Sequence, residues 1–231
     1  MPSLTVENYC KALLQIGSTQ DDAWVSTGRI ALAMNVSPGT VTSMLKTLAE
    51  AGLAEYRPYS GASLTTAGRS LALRVLRRHR LIEQFLVQTL KFTWDEVHAE
   101  AENLEHAVSD LVVDRMDAFL GFPKFDPHGD PIPTAEGSLP SENSLPLTQC
   151  APGNFFRVVR VLNQETEFLK FLTETDLRIG TQLELVSNTK NAGVITVRYR
   201  DKETALGQTA AEQILVEPTS PSRRPLGEES D

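Results

Sequence analysis

The stretch VSTGRIALAMNVSPGTVTSMLKTLAEAGLAEY, residues 25–56, decides the fold of the first part of the chain. Its periodic apolar positions predict a short helix that ends at Met34 and a second helix that ends at Gly52. Ser37 is the expected N-cap of the second helix, and Pro38 follows in the first turn, where its missing N–H is tolerated. Two short helices joined by a turn of a few residues predict a helix-turn-helix.

The segments on either side of this stretch extend the prediction to a winged helix. After it, LAEYRPYSGASLT has two short β-prone pieces around Ser60 and Gly61, which predict a hairpin, the wing. Apolar residues at helical spacing predict further helices on both sides. These helices cover residues 4–17, 64–90 and 94–120, the last of them in two pieces.

A change of composition after Gly121 separates two parts of the chain. The next segment is rich in Pro, Gly and Ser, which is typical of a linker. Beyond it, the alternating stretches FFRVVRVL, TQLELVSN, GVITVRYR and AEQILVE predict the strands of a small SH3-like β-barrel, with a brief helix around EFLKFLTETD. We therefore predict an α+β chain made of a winged helix (1–72), a helical domain (73–122), a linker (123–153), the barrel (154–217) and a disordered tail (218–231).

Length and composition are those of a globular chain of two domains, with 231 residues, 41% of them apolar and 23% charged. No apolar run approaches the roughly 20 residues that span a bilayer. The N-terminus lacks the basic and apolar regions of a secretory signal. Cys10 and Cys150 form no disulfide or zinc-ribbon pattern. We therefore expect a cytoplasmic protein with no membrane partner.

The net charge of −8 is unevenly distributed along the chain. Residues 1–80 hold nine Lys or Arg and five Asp or Glu, a net charge of +4, so the remaining residues carry −12. This asymmetry indicates that residues 1–80 bind anions and that the acidic remainder of the chain binds cations.

The winged helix predicts binding to double-stranded DNA. In such modules the second helix lies in the major groove, with its N-terminal residues toward the base edges. Hydroxyl side chains contact phosphates or several base edges, so no operator sequence follows from them. The alternative is a module for dimerisation or protein docking. The candidate DNA-binding residues are Ser37, Pro38, Gly39, Thr40, Thr42 and Ser43, Lys46 one turn on, and Arg57 and Tyr59 in the wing.

Histidine and glutamate recur in VHAEAENLEHAVSD, residues 97–110. If this stretch is one helix, about 100° per residue places His98, Glu102, Glu105 and His106 on a stripe about 100° wide. Imidazole nitrogens and carboxylate oxygens suit a divalent transition metal. The alternative is a solvated polar face.

Two further histidines favour the metal hypothesis. His79 and Glu83 are four residues apart on the preceding long helix and share one face. The fourth histidine, His128, follows Asp126 in the phrase DPHGDPIP. The histidines of this chain therefore all lie near a carboxylate in sequence or at helical spacing.

These features resemble a known family, the metal-dependent repressors of the diphtheria toxin repressor type, which include the manganese transport regulators. The resemblance spans residues 4–217, and EHAVSD together with RHRLIEQFL is more specific than the helix-turn-helix. It implies a homodimer that binds palindromic DNA operators when loaded with Fe²⁺ or Mn²⁺, and not an enzyme. The segments that carry it are VENYC, VSPGTVTSMLKTLAEAGL, LTTAGRSLA, RRHRLIEQFL, VHAEAENLEHAVSD, PHGDPIP and the alternating C-terminal strands.

The resemblance implies a primary metal site formed by Asn8, Glu102, Glu105 and His106. Family members have a Met or an Asp at the position of Asn8, whose amide oxygen can ligate but brings no charge, so we expect a lower affinity. Cys10 lies about 160° from Asn8 around a helix. We therefore expect Cys10 to pack in the core and not to ligate.

The resemblance also implies an ancillary site with His79 and Glu83, whose remaining ligands stay open. In iron-type members a histidine and a glutamate from the barrel complete it, whereas in streptococcal-type manganese members an Asp/His pair from the linker does so. This chain has candidates for both arrangements. They are His98 with Glu165 for the first, and Asp126 with His128 for the second.

Two residues depart from the family pattern. Phe168 aligns with a ligating Gln of the iron type and cannot coordinate. Lys11 stands where the compact manganese regulators have a second-site carboxylate, which argues against a binuclear site. A set of ligands made of oxygen and imidazole nitrogen favours harder ions. We therefore expect Mn²⁺ to be preferred over Fe²⁺ as the bound metal, and Zn²⁺ and Co²⁺ to bind in vitro.

Two other function classes stay open at this point. One is a metal-independent winged-helix regulator whose glutamates and histidines are merely solvated. The other is a non-haem metal enzyme, against which the chain shows no separate general base, nucleophile or phosphate-binding loop. The barrel could in addition bind a proline-rich segment, as SH3-like folds do.

Overall fold

The computed structural model describes residues 3–18 and 24–220. They form two compact units. The first comprises the described residues of Met1–Leu86, Ala99–Lys124 and Pro131–Pro140, and the second those of Val87–His98, Phe125–Asp130 and Ser141–Asp231. Most of the predicted disordered tail, residues 221–231, lies outside the described residues.

The winged helix predicted from the opening stretch is confirmed in the first unit. It consists of α1 (Leu4–Ser18), α2 (Thr27–Met34), α3 (Pro38–Glu50), β1 (Ala54–Arg57) and β2 (Gly61–Leu64). The two strands pair antiparallel as the wing.

A side-chain cap and a left-handed residue set the limits of these helices. The Ser37 hydroxyl accepts from the Thr40 N–H at 3.2 Å and caps α3 as predicted. Asn35 takes the left-handed conformation, with φ 51°, and closes α2. The three residues between the helices, 35–37, thus form the predicted turn.

The core of the winged helix lies between α1, α3 and the hairpin. Val41, Leu45 and Leu48 of α3 are fully buried. Gly68 lies so close to the preceding turn that a Cβ there would come within 1.8 Å of the Leu53 carbonyl oxygen. Only glycine permits this approach of the next helix to the winged helix.

Three more helices follow the wing. They are α4 (Thr66–Leu90), α5 (Val97–Leu104) and α6 (Asp110–Phe119). The Thr65 hydroxyl accepts from the Gly68 N–H at 3.1 Å and caps α4.

The prediction of one continuous helix through the EHAVSD stretch is wrong. The helix α5 ends at Leu104, and Glu105, His106 and Ala107 form a turn. The Ser109 hydroxyl accepts from the Val112 N–H and begins a new helix, α6. The regular helical spacing is therefore interrupted between Leu104 and the N-cap Ser109. The stripe calculated for an unbroken helix does not hold for Glu105 and His106.

The second unit is built on a six-stranded sheet. Its strands are β3 (Leu145–Pro146), β4 (Phe155–Val161), β5 (Gln182–Thr189), β6 (Val194–Tyr199), β7 (Lys202–Gly207) and β8 (Ile214–Pro218), with the helices α7 (Thr166–Glu174) and α8 (Gln208–Glu212). The strand order is β3-β8-β4-β5-β6-β7. All five neighbouring pairs in this order are antiparallel.

The α+β class and the small C-terminal sheet are confirmed, but two details differ from the prediction. Within residues 24–220 no pairing closes the sheet into a barrel. The edge strand β3 has two residues, and Pro146 cannot donate a ladder hydrogen bond. The stretch AEQILVE begins in α8 before it becomes β8.

The strand β7 was not predicted, because KETALG lacks the alternating apolar pattern. A tight turn at Arg200 and Asp201, both with positive φ (48° and 61°), folds it back on β6. Positive φ at both central residues is the geometry of a two-residue hairpin turn. Tyr199 and Lys202 are partners across the turn.

The segment predicted as a linker contributes buried side chains to the cores. Ile132 packs in the first unit with Leu81 and Val113. Leu147 and Cys150 are buried in the second unit with the sheet residues. Pro and Gly therefore shape an ordered segment here.

Within the described parts of the chain, no helix combines the length and the apolar character that are needed to cross a bilayer.

Candidate metal centre

Three elements of the first unit bring charged side chains together in its interior: α1, α4 and the end of α5 with the turn after it. We call these side chains the charged cluster. Its members are Glu7, Asn8 and Lys11 from α1, His79 and Glu83 from α4, and Glu102, Glu105 and His106 from α5 and the turn.

Glu105 is the centre of the charged cluster and is completely buried. Its Oε2 lies 2.6 Å from His79 Nδ1. Its Oε1 lies 3.2 Å from His106 Nε2. Lys11 donates to both carboxylate oxygens, at 2.7 and 2.9 Å. A carboxylate so far from water is stable only because cationic and polar groups surround it.

His106 links the turn after α5 to α1. Its Nδ1 lies 2.8 Å from Glu7 Oε2, and its Nε2 lies 2.7 Å from Asn8 Oδ1. The structure thus brings Asn8, Glu105 and His106 together, as the prediction of the primary site requires. Glu102 is held in the same cluster through Lys11, whose Nζ lies 2.7 Å from Glu102 Oε1.

His79 lies between Glu83 and Glu105. Its Nε2 is 2.9 Å from Glu83 Oε1, and both side chains are buried. Burial lowers the pKa of His79, but hydrogen bonds to Glu105 and Glu83 outweigh it and raise this pKa to about 9. The predicted primary and ancillary sets therefore meet at Glu105, which contacts a histidine of each.

The donor atoms of the charged cluster fit a divalent transition metal. His79, Glu102 and Glu105 each offer one ligand atom, and these atoms lie within 4.8 Å of one another. Imidazole nitrogen with carboxylate oxygen is a donor set that Mn²⁺, Fe²⁺, Co²⁺ and Zn²⁺ accept. One ion bound by these three residues would join α4 to the end of α5 and the turn after it.

The remaining predicted ancillary residues lie in the second unit. Asp126 and His128 are buried, and Asp126 Oδ1 accepts the His128 backbone N–H at 2.8 Å. His128 Nε2 lies 2.8 Å from the Trp94 carbonyl oxygen, and the two rings are stacked. Glu165 is exposed before α7, and His98 is exposed in α5. That either His98 with Glu165 or Asp126 with His128 completes the ancillary site stays a prediction.

The predicted DNA-binding residues lie at the surface, with one exception. Thr42 is half-buried, and its hydroxyl donates to the Pro38 carbonyl oxygen at 2.9 Å. The Arg57 guanidinium lies over the Trp24 ring, 4.2 Å from its centroid. Tyr59 at the tip of the wing is fully exposed. The exposed residues are Ser37, Pro38, Gly39, Thr40, Ser43, Lys46, Arg57 and Tyr59.

Neither Glu7 nor Arg78 is among the site residues predicted from the sequence, and Lys11 is there only a departure from the family pattern. Glu7 and Lys11 are four residues apart on one face of α1, a spacing that could have drawn attention to them. Arg78 pairs with Asp110 at 2.7 Å and lies 4.0 Å from Glu7. Cys10 is buried in the core of the winged helix, as we expected.

The first helix of the winged helix shares a cluster of carboxylates and imidazoles with two later helices. This combination defines the class of metal-responsive DNA-binding regulators. Family models match along the chain. Residues 2–62 match the N-terminal DNA-binding domain of iron-dependent repressors, and residues 65–134 match their metal-binding and dimerisation domain. Residues 145–218 match the FeoA domain.

Known proteins are similar over most of the chain. The iron-dependent repressor IdeR of Mycobacterium tuberculosis is 30% identical over 198 residues, which are 83% of this chain and 80% of that protein. The diphtheria toxin repressor of Corynebacterium diphtheriae is 29% identical over 223 residues, 92% and 96% of the two chains. A manganese-dependent transcriptional repressor solved in complex with manganese is 37% identical, with a TM-score of 0.84 over 93% of this chain and 100% of that chain.

This chain belongs to the family of iron-dependent repressors, of which the diphtheria toxin repressor is a member. The resemblance inferred from the sequence motifs is confirmed. Because the family consists of transcriptional repressors, the alternative of a metal enzyme is set aside.

Proposed function

We propose that this chain is a transcriptional repressor that Mn²⁺ or Fe²⁺ activates, and that it acts as a homodimer on palindromic operators of metal-uptake genes in the cytoplasm. The observation that carries the proposal is the charged cluster. It joins α1, which belongs to the winged helix, to α4 and to the turn after α5. An ion bound in this cluster would act directly on the position of the DNA-binding helices.

We propose that Glu102, Glu105, His106 and Asn8 hold the primary ion, with His79 and Glu83 beside them in the ancillary set. The bound ion supplies positive charge and directional bonds that only a definite placement of α1 can satisfy. The candidate further ligands of the ancillary site are His98, Asp126, His128 and Glu165.

The protein side chains then convert ion binding into DNA binding. An ion shifts the population toward the DNA-competent placement of α1 only to the extent that it binds this placement more tightly. Arg57 and Lys46 are exposed for contact with phosphates, while the hydroxyls at the start of α3 face the bases in the major groove. Loss of negative charge in the cluster further favours the approach of phosphates.

Exposed apolar side chains support the homodimer. Leu111 and Phe119 on α6 and Phe122 just after it are each about two-thirds exposed, at 67, 70 and 69%. Large apolar side chains grouped in this way mark an interaction surface. They lie in the part of the chain that matches the dimerisation domain of the family.

Metal-dependent DNA binding tests the proposal. Palindromic duplexes are selected from a randomised pool with the full-length protein and Mn²⁺, and their binding is then measured with Mn²⁺ and with a chelator. We expect Mn²⁺ to tighten binding by at least about tenfold, or about 1.4 kcal/mol. Glu105→Gln should abolish this gain, because it removes the central charged ligand.

Glu100→Gln is the matched control, because Glu100 is an exposed carboxylate in the first turn of α5, the helix that ends just before Glu105. It should retain the full response to Mn²⁺. Equal binding by the unaltered protein with ion and with chelator would contradict the proposal and favour a metal-independent regulator.

A further inference from the structure

We propose that Lys11 is a tethered cation that competes with the metal ion for Glu102 and Glu105, and that it thereby sets the ion concentration at which the protein responds. This inference rests on the proposed function of the charged cluster. It concerns regulation of that site by a residue that is not itself a ligand.

The position of the Lys11 ammonium is the first argument. Its Nζ lies 2.7 Å from Glu102 Oε1, 2.7 Å from Glu105 Oε1 and 2.9 Å from Glu105 Oε2. An ammonium has three N–H donors, and these two carboxylates supply three acceptors. The Lys11 ammonium therefore occupies the space next to three carboxylate oxygens that a metal ion would contact.

Burial strengthens the dependence of Lys11 and Glu105 on each other. Lys11 is 6% exposed and Glu105 is 0% exposed. A buried charge without a partner is strongly unfavourable, so the pair is held together by more than a surface ion pair would be. A divalent ion that takes the same carboxylates brings a second positive charge close to the ammonium, and the two repel each other. Ion binding thus requires the ammonium to leave.

The structure offers a place for the displaced ammonium. A cavity of about 570 Å³ lies beside the cluster and is lined by Asn8, Lys11, Gln15, Arg29, Met34 and Glu102, among others. The four-carbon stem of lysine is flexible enough to swing its head group into such a space. The Lys11 head group can therefore leave the two carboxylates without any unfolding of α1.

The exchange also favours some ions over others. Mg²⁺ and Ca²⁺ prefer oxygen ligands, so the two carboxylates provide most of what the cluster can offer them. Mn²⁺ and Fe²⁺ gain bonds to the imidazoles of His79 or His106 in addition. An ion that gains these nitrogen ligands displaces Lys11 more readily than one that binds oxygen alone.

Calorimetric titration of the full-length protein with MnCl₂ tests the inference. Lys11→Met removes the charge and keeps the length of the side chain, so we expect it to bind Mn²⁺ about tenfold more tightly at unchanged stoichiometry. Lys11→Arg keeps the charge and should stay within about threefold of the unaltered protein. Lys170→Met, at an exposed position of α7, is the control and should not change the affinity.

Nuclear magnetic resonance of the unaltered protein gives a second measurement that does not depend on the folding of a variant. Zn²⁺ is diamagnetic, and the Lys11 side-chain signal can be assigned from its loss in Lys11→Arg. We expect one equivalent of Zn²⁺ to change this signal to that of a mobile side chain.

Two results would overturn the inference in different ways. Equal or weaker Mn²⁺ affinity of Lys11→Met, or a Lys11 signal that does not respond to bound Zn²⁺, would overturn it and leave the metal-activated repressor in place. The absence of any stoichiometric ion in the unaltered protein would overturn the proposed function and this inference with it.

Discussion

The interiors of the two units contain different kinds of side chain. In the first unit the buried residues include many that carry charge, namely Glu7, Lys11, Arg77, Arg78, His79, Arg80, Glu83 and Glu105. In the second unit the core around Leu147, Leu185 and Ile214 is almost entirely apolar, with Asp126 and His128 as its buried polar residues among those described.

This difference indicates what holds each unit together. Apolar burial is non-directional and stabilises the second unit at any metal concentration. Buried charges contribute stability only while each has its partners, because desolvation opposes them. Beside the apolar core of its winged helix, the first unit therefore also depends on the set of cations and anions in the charged cluster, which makes it responsive to an added ion.

Two tryptophans allow the comparison to be tested in the full chain. Trp24 belongs to the first unit and Trp94 to the second, where its indole donates to the Thr173 hydroxyl at 2.9 Å. Trp94→Phe leaves Trp24 as the reporter of the first unit, and Trp24→Phe leaves Trp94 as that of the second. Urea unfolding followed by each fluorescence then reports the two units separately.

Glu105→Ala should have the largest effect. It leaves His79 and Lys11 buried without their shared partner, and removal of one member of a buried ion pair costs about 3–5 kcal/mol. We expect the free energy of unfolding that Trp24 reports to fall by this amount, so that its transition moves to lower urea concentration. The transition that Trp94 reports should stay in place. A first unit that is as stable as before would show that the charged cluster is not what holds it together.

Leu185→Ala should weaken the second unit instead. Leu185 is completely buried on β5, and truncation of a buried leucine to alanine costs about 2–5 kcal/mol. The Trp94 transition should shift and the response of Trp24 to Mn²⁺ should not. Loss of the Mn²⁺ response in this variant would contradict the separation of the two interiors.

Mn²⁺ should stabilise the first unit by an intermediate amount. At a free concentration one hundred times the dissociation constant, an ion that binds only the folded state contributes about 2.7 kcal/mol. We expect this shift in the Trp24 transition alone. A matching shift in the Trp94 transition would contradict the prediction and would favour ligands from among His98, Asp126 and His128.

Thiol labelling gives an independent measurement of the same prediction. Burial, and then the charge of Glu7, raise the pKa of the Cys10 thiol to about 11, and burial raises the pKa of the Cys150 thiol as well. Both thiols are therefore protected until their unit opens. In moderate urea, Mn²⁺ should slow the labelling of Cys10 and leave that of Cys150 unchanged.

Ser109→Ala should have the smallest effect. The Ser109 hydroxyl caps α6 in the first unit, and loss of such a cap costs about 1 kcal/mol. The Trp24 transition should shift slightly, and Mn²⁺ should still stabilise the variant. A shift as large as that of Glu105→Ala would mean that the turn before α6, which carries His106, depends on this cap.

Local signals predicted the winged helix well and the end of α5 poorly. Ser37, Asn35 and Thr65 act within a few residues of themselves, so their sequence neighbours suffice to place the helix ends. The end of α5 at Leu104 had no glycine or proline to mark it. The strand β7 likewise depends on pairing with β6, which the composition of KETALG does not indicate.

By itself the sequence determined the order of the helices, the wing and the kinds of side chain that could hold an ion, because these follow from hydrogen bonds and periodicity within short segments. Only the tertiary structure decided that Glu105 contacts a histidine of each predicted site and that Lys11 lies on its carboxylate. Lys11 and Glu105 are 94 residues apart in the chain. Their contact is set by how α1 packs with α4 and α5, and a buried charge is stable only where that packing delivers its partner.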